Sequence, residues 1–228
     1  MAGLEADHGP APYDRRVDPL TGEAAVIVAK RQARPNLGEG THTPAADTCP
    51  FCPGGLEAPE PYDVKAFPNR WPSISDGRCE IVLYTSDHDA SFASLGTAGA
   101  RKVVDLWADR TAALGAREDV AYVLVFENRG PEVGATIPHP HGQIYAFPEV
   151  PPAPMRELEV GACTLCDVDP GDRLVRAVAG WRSWVPEAAT WPYALLVAPD
   201  AHVADLPSLS EAGRTGLADV LVDALGRL

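Results

Sequence analysis

Positive charge is scarce in this 228-residue chain: 19 Lys and Arg stand against 32 Asp and Glu, a formal net charge of −13. That balance excludes general affinity for nucleic acid or for acidic membrane surfaces. Any phosphate-bearing ligand must be met by a few placed arginines. Long hydrophobic runs are missing too. The longest, VAYVLVF at 120–126, is far short of the ~20 apolar residues that cross a bilayer. The opening MAGLEADHGP has no apolar segment of the signal-peptide kind, so a soluble, cytoplasmic protein is expected. A disulfide framework is also unexpected, because the cysteines number five, an odd count. Four of them form two Cys-x-x-Cys pairs, CPFC (Cys49, Cys52) and CTLC (Cys163, Cys166). In a reducing compartment such pairs point to metal before disulfide, with redox chemistry or chance spacing as the alternatives. Cys79, alone in CEIVLY, reads as a small buried hydrophobe.

The chain contains a repeat. Cys49 and Cys163 are 114 positions apart, and so are Cys52 and Cys166, and His88 and His202. In the same register SLGTAG (94–99) faces SLSEAG (208–213), and Asp105 faces Asp219. Each unit runs from a Cys-x-x-Cys turn through a Trp/Pro-rich stretch to an apolar strand, CEIVLY (79–84) or YALLVA (193–198). An Asp/His segment and an amphipathic helix follow. In the second helix Leu217, Val220, Leu221, Ala224, Leu225 and Leu228 recur at helical period, and in the first Val103, Val104, Trp107 and Leu114 do so more loosely. Only the first unit continues, into a Val/Tyr/Phe-rich run within DVAYVLVFENRG that reads as a buried strand, and then into TIPHPHGQIYAF. The expected architecture is therefore α+β, two tandem half-units with antiparallel sheet and helices. Residues 1–150 would form the first unit; 151–228 would form the start of a second, incomplete one that lacks equivalents of Val120–Phe147.

Zinc takes four thiolate or imidazole ligands in a tetrahedron. Cys49 and Cys52 supply two from one turn, where Gly54 and Gly55 free the backbone. His88 and one of His139 or His141 would complete the set. Alone, His88 between Asp87 and Asp89 would read as a solvated or capping residue; its repeat at His202 argues for a ligand. Cys163, Cys166 and His202 form a second, three-ligand set, incomplete as it stands. In an extended segment His139 and His141 project to one face, so one can bind metal while the other stays free.

HPHGQ, together with RQARP (31–35), CPFC, FPNRW, SDH, FENRG, GATIPHPHGQ and WPYALLVAPDAHV in that order, resembles the galactose-1-phosphate uridylyltransferase branch of the histidine-triad superfamily. The blocks reach from about Asp18 to the end of the chain. The resemblance implies a pair of fused histidine-triad-like half-units and a UDP-glucose–hexose-1-phosphate uridylyltransferase of galactose metabolism. UMP would pass from UDP-glucose to galactose 1-phosphate through a covalent uridylyl-histidine. It implies His139 as zinc ligand and His141 as nucleophile. A neutral Nε2 has a lone pair near pH 7 if Nδ1–H is held by an acceptor. Gln143, where hydrolase relatives carry a third histidine, can bond phosphoryl oxygens but cannot act as acid or base, which favours transfer over hydrolysis. By the same resemblance Arg31 and Arg34 would meet phosphate, while Asn69, Arg70, Asn128, Gly134, Ala135 and Thr136 would contact nucleotide and phosphates. The partners implied are UDP-glucose, UDP-galactose and hexose 1-phosphates, with a homodimer or a complementing C-terminal polypeptide as protein partner. CTLC resembles a zinc-rich sub-branch that includes adenylyl-transferring phosphorylases, which leaves uracil and adenine both open. A zinc-binding half, inactive without its complement, is the non-catalytic alternative.

Overall fold

The computed structural model describes residues 14–17, 19, 24–27, 44–74 and 77–228. Strands β1 (Asp14–Val17) and β2 (Ala24–Ile27) pair antiparallel. The main sheet is antiparallel in the order β3-β4-β6-β5, from β3 (Lys65–Pro68), β4 (Cys79–Leu83), β5 (Tyr122–Phe126) and β6 (His141–Phe147). Helix α1 (Gly96–Gly115) links β4 to β5. Short helices α2 (Pro152–Glu159) and α3 (Thr164–Asp167) lead to a three-stranded antiparallel sheet, β7 (Leu174–Val178), β8 (Trp181–Trp184) and β9 (Leu196–Pro199), and then to α4 (Glu211–Gly226). The fold is thus a mixture of helices and antiparallel sheets, as the sequence leads one to expect.

The repeat is visible in the order of elements: β3, β4, α1 in one half and β8, β9, α4 in the other. The two long helices pack together, and Arg101 Nη1 donates to Thr215 Oγ1 at 2.6 Å. These residues are 114 positions apart, so the halves touch through equivalent points, as they would about a local twofold. One apolar cluster joins Val103 and Val104 of α1 to Trp181, Leu217 and Val220 of the second half.

Strand β4 is buried throughout because both its faces are covered. Val82, with Ile144 and Ala146 of β6, packs toward α1. Ile81 and Leu83 pack against Phe51 of the first Cys-x-x-Cys loop. Its one charged residue, Glu80, is neutralised by Arg110 of α1 through bonds of 2.8 and 2.7 Å. Cys79 is the small buried hydrophobe expected, 1% exposed.

Three expectations shift. The run before FENRG is an edge strand, flanked among the described residues only by β6, so it is half-buried and Leu124 is 37% exposed. The second apolar strand begins at Leu196 rather than Tyr193, since Tyr193 takes a positive φ of 61° at the end of a turn. The apolar stripe of α4 ends early: Leu217, Val220 and Ala224 are buried, whereas Leu225 and Leu228 are 40% and 68% exposed. Leu225 lies one residue, about 100°, round the helix from Ala224, and Leu228 follows the last helical turn.

Candidate functional site

Cys49, Cys52, His88 and His139 converge, with one ligand atom from each within 4.8 Å of the others. The chain brings them from three places: the 49–52 loop, the turn after β4 and the segment entering β6. Gly54 holds a φ of +87°, and a Cβ on Gly55 would sit 2.5 Å from the Cys49 carbonyl oxygen, so this loop closes only with glycines there. Cys52 Sγ lies 3.4 Å from His88 Nδ1 and 3.6 Å from His139 Nδ1. A tetrahedral zinc with ordinary bond lengths needs sulfur–nitrogen edges of about 3.6 Å. The set fits zinc.

His139 is fully buried, and its far nitrogen fixes its tautomer. Tyr62 donates its hydroxyl to the Phe51 carbonyl at 2.6 Å. His139 Nε2–H therefore donates to the Thr85 carbonyl at 2.8 Å, with the Tyr62 oxygen 2.9 Å away. Nδ1 is left as the metal-facing lone pair, the outer-shell arrangement typical of imidazole ligands. Burial holds the His139 pKa below its ordinary value. Burial, and then the neighbouring Cys49, push the Cys52 thiol up to about 11; a cation among the sulfurs reverses that, since it favours thiolate.

His141 starts β6, the strand between β4 and β5. Strand alternation sends Gly142, Ile144 and Ala146 inward and leaves His141, Gln143, Tyr145 and Phe147 half-buried on the other face. Those four line a cleft of about 870 Å³. His141 Nδ1–H donates to the His139 carbonyl at 2.8 Å, which leaves Nε2 with its lone pair. Burial lowers the His141 pKa, keeping the ring neutral. The Phe51 ring meets His141 edge-on, centroids 5.0 Å apart, and lies 6.2 Å from His139. One aromatic side chain from the Cys-x-x-Cys loop thus touches both histidines of the pair.

Every described nucleotide-contact candidate reaches this cleft: Asn69, Arg70, Asn128, Gly134, Ala135 and Thr136 all line it with Gln143. Arg31 and Arg34 lie outside the described residues. Arg70 is paired with Glu57 at 2.9 Å, and Asn69 Oδ1 accepts from the Trp71 amide at 2.8 Å, so the 69–71 turn is internally braced. Cys163, Cys166 and His202 also come together, exposed, with Cys166 Sγ 3.3 Å from His202 Nδ1. This second group has three donors among the described residues and again fits a thiolate–imidazole metal.

Residues that the motifs did not disclose complete the site. Tyr62 sits beneath His139, Ser73 bonds Tyr145 at 2.8 Å, and the Tyr84 hydroxyl bonds Glu127 beneath β6. Gly142 in a strand of Ile, Tyr and Phe was the one available signal, since an interior strand glycine marks close approach.

The arrangement offers a neutral imidazole with a free Nε2 in a cleft lined by both apolar and polar side chains, an amide beside it, and a braced metal-type cluster behind it. The chain is similar to known proteins. A family model described as galactose-1-phosphate uridyl transferase, N-terminal domain, matches residues 70–151. A galactose-1-phosphate uridylyltransferase of Streptomyces lividans is 42% identical over 230 residues, covering 93% of this chain and 63% of the relative. One from Thermotoga maritima is 37% identical over 238 residues, covering 90% of this chain and 72% of the relative. Among solved structures, a uridylyltransferase superposes with a TM-score of 0.77 at 28% identity, over 91% of this chain and 72% of that one.

Proposed function

The chain belongs to the galactose-1-phosphate uridylyltransferase family, and from that premise we propose that it transfers UMP from UDP-glucose to galactose 1-phosphate through a covalent bond at His141. The observation that carries this reading is the His141 Nδ1–H bond to the His139 carbonyl. It commits the ring to one tautomer and aims a lone pair into the cleft.

In the first half-reaction His141 Nε2 attacks the α-phosphorus. A P–N bond forms as the bond to the bridging oxygen breaks, and glucose 1-phosphate leaves with that electron pair. The Nδ1 proton stays on the ring, and the His139 carbonyl stabilises the positive charge the imidazole acquires. In the second half-reaction a phosphate oxygen of galactose 1-phosphate attacks the same phosphorus, and His141 leaves as neutral imidazole. Gln143 contributes amide hydrogen bonds to the phosphoryl oxygens but has no proton to give or take near neutral pH. Gln143 therefore offers water no base at this position, which favours transfer over hydrolysis.

Cys49, Cys52, His88 and His139 would hold zinc, whose role is to cross-link three segments of backbone behind the cleft. Phe51 carries that rigidity to the His141 ring. Cys163, Cys166 and His202 would hold a second zinc. Asn69, Arg70, Asn128 and the Gly134–Thr136 segment, with Arg31 and Arg34, would hold the nucleotide. A cytoplasmic location suits these substrates.

Donor choice tests the reading. With galactose 1-phosphate as acceptor, UDP-glucose should give UDP-galactose at least tenfold faster than ADP-glucose gives ADP-galactose. Equal or greater use of ADP-glucose, or of inorganic phosphate as acceptor, would instead assign the adenylyl-transferring phosphorylase chemistry.

A further inference from the structure

Gln143 has a two-ended side chain. Its Oε1 only accepts hydrogen bonds and its Nε2 only donates. Only the Nε2 end can bond a phosphoryl oxygen beside His141, so an amide turned the other way would put its oxygen against the phosphate and repel it. Which end faces the reaction centre is not decided by packing, because the two ends have nearly the same shape. A hydrogen-bond partner must decide it.

The partner is two residues along the same strand. Gln143 and Tyr145 share the cleft face of β6, and the Tyr145 hydroxyl donates to Gln143 Oε1 at 3.5 Å. That is a long hydrogen bond, of the kind that closes when a second ligand draws the group into line. Tyr145 itself is held. Its oxygen is 2.8 Å from Ser73 Oγ, and its ring stands edge-on to Phe126 with centroids 4.8 Å apart at 84°. A hydroxyl has one proton. If Tyr145 spends its own on Gln143, it accepts from Ser73, and the chain runs in one direction from Ser73 through Tyr145 to Gln143 Oε1.

We propose that Tyr145, anchored by Ser73, is a positioning residue that turns the Gln143 amide so that Nε2 faces the phosphoryl group on His141. The proposal rests on His141 as the nucleotidylated residue for its kinetic consequence, but its structural content is independent of turnover. Ser73 follows the Asn69–Trp71 turn that lines the same cleft. The chain therefore joins the nucleotide end of the cleft to the amide at its reactive end.

A double-mutant cycle between Tyr145→Phe and Gln143→Ala tests it. Loss of one orienting hydrogen bond should slow nucleotidylation by UDP-glucose about five- to tenfold, with KM for UDP-glucose changed less than twofold. In the Gln143→Ala background, Tyr145→Phe should cost less than twofold, because there is no amide left to orient. Ser73→Ala should give a smaller loss with the same dependence on Gln143. Equal costs of Tyr145→Phe in both backgrounds, or no cost in either, would overturn the proposal. A second measurement does not need an active enzyme. The Gln143 side-chain carbonyl 13C resonance, assigned by its absence in Gln143→Ala, should move upfield in Tyr145→Phe as its hydrogen bond is lost. An unmoved resonance in a folded Tyr145→Phe protein would overturn the proposal even if transfer itself were absent; a moved resonance without transfer would instead count against the proposed reaction alone.

Discussion

The Tyr84 hydroxyl occupies the space that a side chain on Gly142 would need. A Cβ built at Gly142 would lie 3.0 Å from Tyr84 Cζ, closer still to the hydroxyl, and 3.1 Å from the Phe126 carbonyl oxygen. Gly142 separates the two cleft-facing residues His141 and Gln143, so the phenol packs against β6 from behind, between them.

Gly142→Ala should therefore destabilise the protein by about 2 kcal/mol through overpacking and displace His141. Tyr84→Phe should recover part of that loss, because it removes the nearest atom. The check is a double-mutant cycle of denaturant midpoints. Strict additivity of the two substitutions would show that the contact does not set the strand's position.

The partner of the Tyr84 hydroxyl is Glu127, whose carboxyl is held above its ordinary pKa of 4.5 chiefly by burial. Below 4.5 the folded and unfolded chains are both protonated there, and Glu127 contributes no pH dependence. As pH rises past 4.5 the unfolded chain releases the proton first, so the native state loses stability until its own raised pKa is passed. Glu127→Gln should accordingly be more stable than the parent at pH 7, with the advantage vanishing below about pH 4.5. Urea unfolding of both proteins at pH 7 and pH 4 measures this. A Gln variant less stable than the parent at pH 7 would contradict burial as the governing cause.

The purified protein should carry zinc at Cys49, Cys52, His88 and His139 that resists mild chelation, because these ligands are buried or half-buried. The exposed Cys163, Cys166 and His202 set should give up its metal first. Cys49→Ser should lower both zinc content and thermal stability, by several kcal/mol or more, since a structural zinc's binding energy is folding energy. Metal analysis and melting curves before and after chelation provide the check. An unchanged melting temperature after removal of all zinc would refute the structural role.

Much of the site was legible because its chemistry is written in short spacings. Cys49-x-x-Cys52, His139-x-His141 and the 114-residue offset of Cys163, Cys166 and His202 need no fold to be noticed, and the structure brings Cys49, Cys52, His88 and His139 together, and Cys163, Cys166 and His202 together. What pairs across the sheet was not legible. Tyr62 reaches His139 over 77 positions and Ser73 reaches Tyr145 over 72; neither has a neighbour in sequence that marks it. Strand burial was misjudged at Tyr122–Phe126 for a related reason: Val, Leu and Phe content reports an apolar strand, but only topology says that it lies at an edge. The end of the α4 stripe escaped notice because periodicity does not tell where the opposing surface stops.

The most direct test of the central claim is transfer of label from uracil-labelled UDP-glucose to the protein in the absence of an acceptor. The label should survive denaturation, be released by acid as a phosphoramidate should be, map to the peptide containing His141, and be discharged by galactose 1-phosphate. His141→Asn should take up no label, yet still fold and bind zinc, because the proposed ligand is His139. Turnover by the parent without any protein-bound label, or label on His141→Asn, would contradict a covalent intermediate at His141.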